Sequence, residues 1–535
     1  MEFNLADMWE AVVDTVPDRE ALVWGQLRYT FRELDDRANR VAHALSARRI
    51  GSGDHVAVYL RNRPEFVETM FAAFKLRAVP INVNYRYVAD ELRYLLDDAD
   101  VKAVVVAREF LRVLQDALAE LPLIRTIIVV DDDSLADGSD GDGKEHENYE
   151  AVLASAPTDR GFPARSADDG YIVYTGGTTG MPKGVLWRSE DIFFAGMGGG
   201  NPGGAPIERP EDIVEFLDRP VRGLPACPLM HGTANWFAIR ILFGGGAVVL
   251  SADIRFEPVR MWELIARERV SFLVIVGDAF ARPLVDALDQ IDPGFDVSCL
   301  RWVLSSGAIF SPGVKHKWLE RMPTLRLIDG FGSSETGSQG QSVAAHGITA
   351  NSRARFELED TVQVFDDDDR PAEPGTVGRL GRRGHIPVGY YGDPVKTRAV
   401  FREIDGVRWS IPGDYAVREA DGTITVLGRG SACINTGGEK VYPEEVESVI
   451  KSHPDVLDAL VVGVPDDRWG ERVVAVVAPR PGTQPTLRAL EAHAREYVAG
   501  YKVPREVVVV DAITRTPSGK PDYAWAKATA LAATA

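Results

Sequence analysis

The sequence predicts an α/β protein with a large N-terminal domain of two stacked α/β subdomains plus a small β-barrel, then a small C-terminal α/β domain. Three observations carry this. Helical and strand periodicities alternate through residues 30–131 and again through 171–307, the pattern of parallel α/β layers. From about 355 the texture turns to short alternating strands separated by turns, which suits a meander or small barrel. After Gly428 the α/β alternation resumes on a smaller scale, so the division falls at 1–428 and 429–535.

In chain order, TFRELDDRANRVAHAL (30–45) has apolar residues at helical spacing behind Thr30, a helix-opening hydroxyl. HVAVYL (55–60) reads as a strand, 65–79 and 90–99 as helices, and KAVVVA (102–107) and TIIVVD (126–131) as buried strands. The acidic, glycine-rich run 131–147 lacks the register of a calcium loop and reads as a solvated loop. A second series holds the strands YIVYTGG (171–177), AVVLSA (247–252), FLVIVG (272–277) and LRWVLSSG (300–307), with a helix at 257–269. The C-terminal segment offers EEVESVIKSH and LRALEAHAREYV as helices and DALVVGVP, ERVVAVVAP and REVVVVD as strands.

At 535 residues the chain has room for roughly three to four domains. With 60 basic against 79 acidic residues the net charge is −19, which repels a phosphate backbone, so no nucleic-acid partner is expected. Only three cysteines occur (Cys227, Cys299, Cys433), widely spaced, which suggests neither a disulfide framework nor a zinc site. The N-terminus is acidic where a secretory signal is basic. No apolar run approaches the roughly 20 residues of a membrane span, and a cytoplasmic location is expected.

The most informative string is YTGGTTGMPKGV, Tyr174 to Val185. Gly176, Gly177 and Gly180 permit backbone conformations closed to other residues, Thr175, Thr178 and Thr179 offer hydroxyls, and Lys183 is a compact cation. Such a loop suits polyphosphate. It is not a Walker A loop, because Pro182 stands in place of the last glycine and Gly184 follows the lysine instead of Ser or Thr.

TGGTTGMPKG closely resembles the phosphate-loop signature of the adenylate-forming acyl-CoA synthetase superfamily, which includes firefly-type luciferases and nonribosomal adenylation domains. FGSSETG (331–337) is similar to that family's adenine and magnesium segment, with Phe331 against adenine, Ser334 in place of the usual Thr, and Glu335 on magnesium. By residue type alone Glu335 could equally cap a helix. Beside a phosphate loop it suits Mg²⁺, which takes one or two carboxylates plus substrate phosphates. The resemblance also puts Asp329, Gly330 and Gly332 in the nucleotide pocket and Thr178 at the metal.

Other segments fit the same family. LSSGAIFSP (304–312) resembles the strand end near adenine and the α-phosphate, which implicates Gly307 and Ala308. PLMHG (228–232) places His231 near the reacting carboxylate. WSIPGD (409–414) gives Asp414 as the ribose contact, with Pro412 where Thr is usual. GRGSACINTGGEKVYPEEVE (428–447) supplies Arg429 at the ribose, Ser431 at a hinge, and Gly437 and Gly438 near a thiol tunnel. RTPSGKPD (515–522) resembles the closing element whose lysine, Lys520 here, reaches the active site.

The resemblance implies a two-step ligase using ATP, Mg²⁺ and coenzyme A, in which the C-terminal domain is mobile. A carboxylic acid becomes an acyl-adenylate, and CoA then displaces AMP. The string through GMGGG looks most like actinobacterial fatty-acyl-CoA synthetases, a group that includes steroid side-chain ligases. The glycine-rich stretch 193–213, with Trp187, Trp236 and residues 276–283, would shape an acyl pocket for a bulky apolar acid. A homodimer is compatible with this reading. A free-standing adenylation enzyme serving a carrier protein, a luciferase-like oxygenase and a non-catalytic nucleotide-binding homologue stay open as alternatives.

Overall fold

The computed structural model describes the chain apart from residues 119–120, 132–144, 178–179, 202, 219, 293, 348–354, 437–438, 467–468, 517–519 and 535. The helix Phe31–Ala47 begins where its sequence says it should: Thr30 accepts from the Glu33 N–H and Glu33 reaches back to the Thr30 N–H, a reciprocal cap. Its apolar face packs with Trp9 of the helix Leu5–Thr15 and Phe71 of the helix Pro64–Lys75. Lys75 is wholly buried in this layer, yet it meets Glu10 and Asp35, and Asp35 also accepts from Trp9 Nε1 at 2.7 Å. A buried charge survives there because it is paired and hydrogen-bonded.

Among the described residues, eight strands form one sheet. Val79–Asn82, His55–Tyr59, Val101–Ala107 and Thr126–Val130 run parallel, as their continuous apolar sequences require. The strand Gly170–Gly177 joins this sheet beside Val79–Asn82 and turns back as the antiparallel strand Gly180–Arg188. Residues 171–177 therefore extend the first sheet, although the order of the sequence grouped them with the second series.

The second sheet has fifteen strands and takes in Glu20–Trp24 from the start of the chain, paired Leu22 to Val248. Its parallel part contains Arg222–Pro225, Phe272–Ile275, Trp302–Ser306 and Arg326–Ser333. Buried parallel strands read alike, so local pattern does not say which sheet a strand joins. The antiparallel strands from Arg355–Leu358 onward attach to this sheet through the Gly340–Leu358 pairing.

A third, five-stranded sheet lies within residues 434–509, covered by the helices Pro443–Ser452 and Leu487–Arg495 on one core and by Tyr523–Thr534 on another. At the junction, Gly428 has φ +116°, and a Cβ there would sit 2.7 Å from Glu444 Oε2. Only glycine fits this junction. Among the described residues no helix is long and apolar enough to cross a membrane. The three cysteines are free.

Candidate active site

The phosphate-loop string is the tip of a hairpin. Thr175 pairs with Lys183 and Gly177 with Gly180, while Thr178 and Thr179 lie outside the described residues. Gly184 follows the lysine for a steric reason: a Cβ there would lie 2.8 Å from the Tyr174 ring. Asn82 anchors the base of the hairpin. Its Nδ2 donates to the carbonyls of Tyr174 (2.9 Å) and Met230 (2.7 Å), and its Oδ1 accepts from the Tyr174 N–H at 2.8 Å. One amide thus ties the loop strand to the PLMHG segment.

Glu335 sits at the turn between Arg326–Ser333 and Gly337–Ala345. The turn is tight, since a Cβ on Gly332 would lie 2.1 Å from the carbonyl oxygen of Gly337. Glu335 is buried; its Oε1 accepts from Tyr390 Oη at 3.0 Å and its backbone carbonyl accepts from Ser410 Oγ at 2.6 Å. Trp187 Nε1 donates to the Ser334 carbonyl at 3.1 Å. Lys183 Nζ lies 5.3 Å from the centroid of the Tyr390 ring, so one phenol links the loop lysine to the carboxylate. Phe331 packs on Phe356 with ring centroids 5.6 Å apart. Gly330 pairs with Ser306, whereas the Asp329 carboxylate is held in a buried ion pair with Lys315 at 2.6 Å.

Asp414 and Arg429 face one another on paired strands, Arg429 Nε lying 3.2 Å from Asp414 Oδ1. Burial lifts the Asp414 carboxyl above its usual range, against the pull of Arg429. The neighbouring Asp414 in turn raises Arg429.

Lys520 enters this cluster from the third sheet's side of the molecule. Its loop is pinned by the Thr516 N–H, which donates to the Lys520 carbonyl at 2.9 Å, and by Arg515, which grips Asp458 at 2.7 Å. The Lys520 Cε lies 3.8 Å from where a Cβ on Gly307 would sit, beside Thr233 Oγ1 and Val276. Lys520 is exposed to solvent yet has protein groups crowded around its ammonium. That enclosure, and then Arg429, lowers its pKa, opposed by Glu335 and Asp414.

His231 precedes the helix Gly232–Phe243. Burial, then the charges of Lys520 and Arg86, push its pKa down to about 3, and Nε2 has no hydrogen-bond partner among the described residues. It is a neutral imidazole at physiological pH. Ala308 packs against Gly277, where a Cβ would lie 2.9 Å from its own.

The structure thus gathers His231, Gly307, Glu335, Asp414, Arg429 and Lys520, with Lys183 one phenol away. Gly437 and Gly438 fall outside the described residues. Sequence reasoning missed Asn82, Tyr390 and Ser410. Tyr390 lies in the stretch GHIPVGYYGDPVKT (384–397), where nothing local distinguishes it from Tyr391, which donates to Asp100 instead.

Comparison with family models matches residues 9–391 to the AMP-binding enzyme model and 445–520 to the AMP-binding enzyme C-terminal domain. The chain belongs to the AMP-binding enzyme family. Among its relatives, it is 47% identical to a 3-oxocholest-4-en-26-oate–CoA ligase of Rhodococcus rhodochrous, over 98% of this chain and 96% of that one. It is 46% identical to a medium/long-chain-fatty-acid–CoA/3-oxocholest-4-en-26-oate–CoA ligase of Mycolicibacterium smegmatis, with the same coverage of both. In fold it matches an anthranilate CoA ligase bound to anthranoyl-AMP, with a TM-score of 0.85 at 23% identity over 99% of this chain and 98% of that one.

Proposed function

We propose that this family member is an AMP-forming acyl-CoA ligase for a hydrophobic carboxylic acid, a long-chain fatty acid or a steroid side-chain acid. The observation that carries the reading is Lys520, brought from the C-terminal region to Gly307 within reach of Glu335, Asp414 and Arg429. In the first step a carboxylate oxygen attacks the α-phosphorus of ATP. The bond to the β-phosphate oxygen breaks and pyrophosphate leaves. Negative charge on the phosphoryl oxygens grows in this step, and the Lys520 ammonium meets it as a positioned cation.

Residues 175–183 hold the β- and γ-phosphates through hydroxyls, backbone N–H groups and Lys183. Asp414 accepts from the ribose hydroxyls, and Phe331 with Gly330, Gly332, Ser334, Gly307 and Ala308 lines the base and α-phosphate region. Glu335 fits Mg²⁺: its Oε1 is oriented by Tyr390, whose ring also lies 5.3 Å from Lys183 Nζ, and among the described residues no group of three His, Cys, Asp or Glu makes a metal site unaided. Thr178 would be a second ligand. When bound, the ion neutralises phosphate charge. Neutral His231 borders the acid's carboxylate.

In the second step the CoA thiol attacks the acyl carbon, the thiol proton is released and AMP departs. The small domain, 429–535, turns about Ser431 so that Lys520 leaves and Gly437 and Gly438 approach. A cytoplasmic location supplies ATP and CoA, and a homodimer is compatible with the fold.

The relatives support fatty and steroid acids as the substrates to try. The test is CoA-dependent AMP release across short, medium and long fatty acids, aryl acids and steroid side-chain acids. Turnover of long-chain or steroid acids is expected. AMP release that ignores CoA would defeat the ligase reading and favour another acceptor.

A further inference from the structure

The helix Gly232–Phe243 buries all of its residues from Ala234 on except Trp236 and Arg240. These two lie four apart, on one stripe with Gly232. Trp236 covers Gly196 and Gly232 and donates from Nε1 to Tyr171 Oη at 3.1 Å. One turn further, the Arg240 side chain lies over Gly198, its Nε 2.9 Å and Cζ 3.1 Å from where a Cβ would sit. Gly198, Gly199 and Gly200 all adopt left-handed backbone, with φ of +84°, +61° and +79°. A side chain at 198 would be strained and would collide with the guanidinium.

Arg240 has no carboxylate and no hydrogen-bond partner among the described residues. Other enclosed arginines differ: Arg63 has Glu65, Arg165 has Asp7 and Glu10, Arg160 has Asp14 and Asp35, and Arg282 has Asp278. Burial lowers the pKa of Arg240 and no acidic group opposes the shift. The carbonyls of the helix's last turn favour a cation only weakly. Although the chain carries 79 acidic residues, none among the described ones pairs with this enclosed cation.

Along the helix, Arg240 is nine residues beyond His231, a distance of about 13 Å at 1.5 Å per residue. On the ligase reading above, on which this inference rests, the acid's carboxylate lies at His231, and Trp236 is among the residues expected to shape the acyl pocket. We propose that Arg240 is a specificity residue that receives an oxygen acceptor, a carbonyl or a carboxylate, at the far end of the acid substrate. The missing side chain at Gly198 lets the guanidinium lie directly on that loop. The acid selected is apolar along its length and oxygenated at its distal end.

The test measures CoA-dependent AMP release with three matched acids: a medium-chain fatty acid, its ω-oxo analogue and the corresponding α,ω-dicarboxylic acid. In the unmodified enzyme, one or both oxygenated acids should have the lower KM, and which one does tells carbonyl from carboxylate recognition. Arg240→Met should raise the KM of the favoured acid at least tenfold with kcat little changed, and leave the methyl-ended acid unaffected. Arg240→Lys should recover part of the loss. Ligand-free Arg240→Met should melt no lower than the parent, since it removes an uncompensated charge. Equal KM changes for all three acids, or a lower melting temperature, would overturn the proposal. If the parent enzyme turns over no acid at all, the ligase reading fails first and takes Arg240's role with it.

Discussion

Tyr390 joins two parts of the site that lie far apart in sequence: its hydroxyl donates to Glu335 at 3.0 Å while its ring face lies 5.3 Å from Lys183 Nζ. Removing the hydroxyl leaves the ring and the fold in place. A hydrogen bond to a charged acceptor contributes roughly 1.5–3 kcal/mol, which is about 10- to 100-fold in rate where the transition state needs it. Tyr390→Phe should lower pyrophosphate exchange within that range and raise the Mg²⁺ concentration needed for half-maximal exchange. An unchanged Mg²⁺ requirement would assign the tyrosine to packing alone.

The Asp414–Arg429 pair, 3.2 Å apart, gives a second expectation. Asp414→Asn keeps the shape but loses an acceptor, so the KM for ATP should rise by about tenfold, as for a lost charged hydrogen bond. The KM for the acid should change little. Titration of ATP at saturating acid, and of acid at saturating ATP, separates the two.

Lys520 works as a cation, and its pKa lies below the ordinary 10.5 because of its enclosure and then Arg429. Adenylate formation should therefore be full where the lysine is protonated and fall as pH rises through that lowered pKa. Lys520→Arg should move this alkaline limb upward, whatever its effect on rate. His231, with a pKa of about 3, stays neutral over the same range and should contribute no limb near neutrality.

Glu444 contacts the junction glycine, Gly428. Burial, then Glu447 and Asp414, raise its pKa from 4.5 to about 8. The folded state then holds this proton more tightly than the unfolded one. Stability from this group is full below about 4.5 and is lost as pH rises toward about 8. Glu444→Gln should flatten the fall in melting temperature between pH 6 and 8, by roughly the slope one proton supplies. An identical slope in the variant would show that the carboxyl is already ionised in the folded protein.

Much of the site was legible because its chemistry is local in sequence. The string 174–185 and the loop 515–522 each carry their glycines, hydroxyls and lysine within a dozen residues. What stayed hidden acts across long separations. Asn82 reaches Tyr174 and Met230 over 92 and 148 positions, and an asparagine near a strand end looks like a turn residue. Arg240 reads as an ordinary basic residue near a helix C-terminus until it is seen to have no counter-ion among the described residues. The α/β class and most helices followed from periodicity and caps. The assignment of residues 20–24 and 171–177 to particular sheets did not, because pairing between distant strands is decided by packing that no local window contains.

Lys520, lying against Gly307, is proposed to serve the first chemical step and not the second. The direct measurement is Lys520→Ala assayed in both half-reactions: ATP–pyrophosphate exchange with the acid, and thioester formation from supplied acyl-adenylate and CoA. Loss of a group positioned against transition-state charge costs about 10²- to 10³-fold. A loss of that size is expected in exchange, with thioester formation held within a few-fold of the parent. Equal loss in both half-reactions, or exchange left intact, would contradict it.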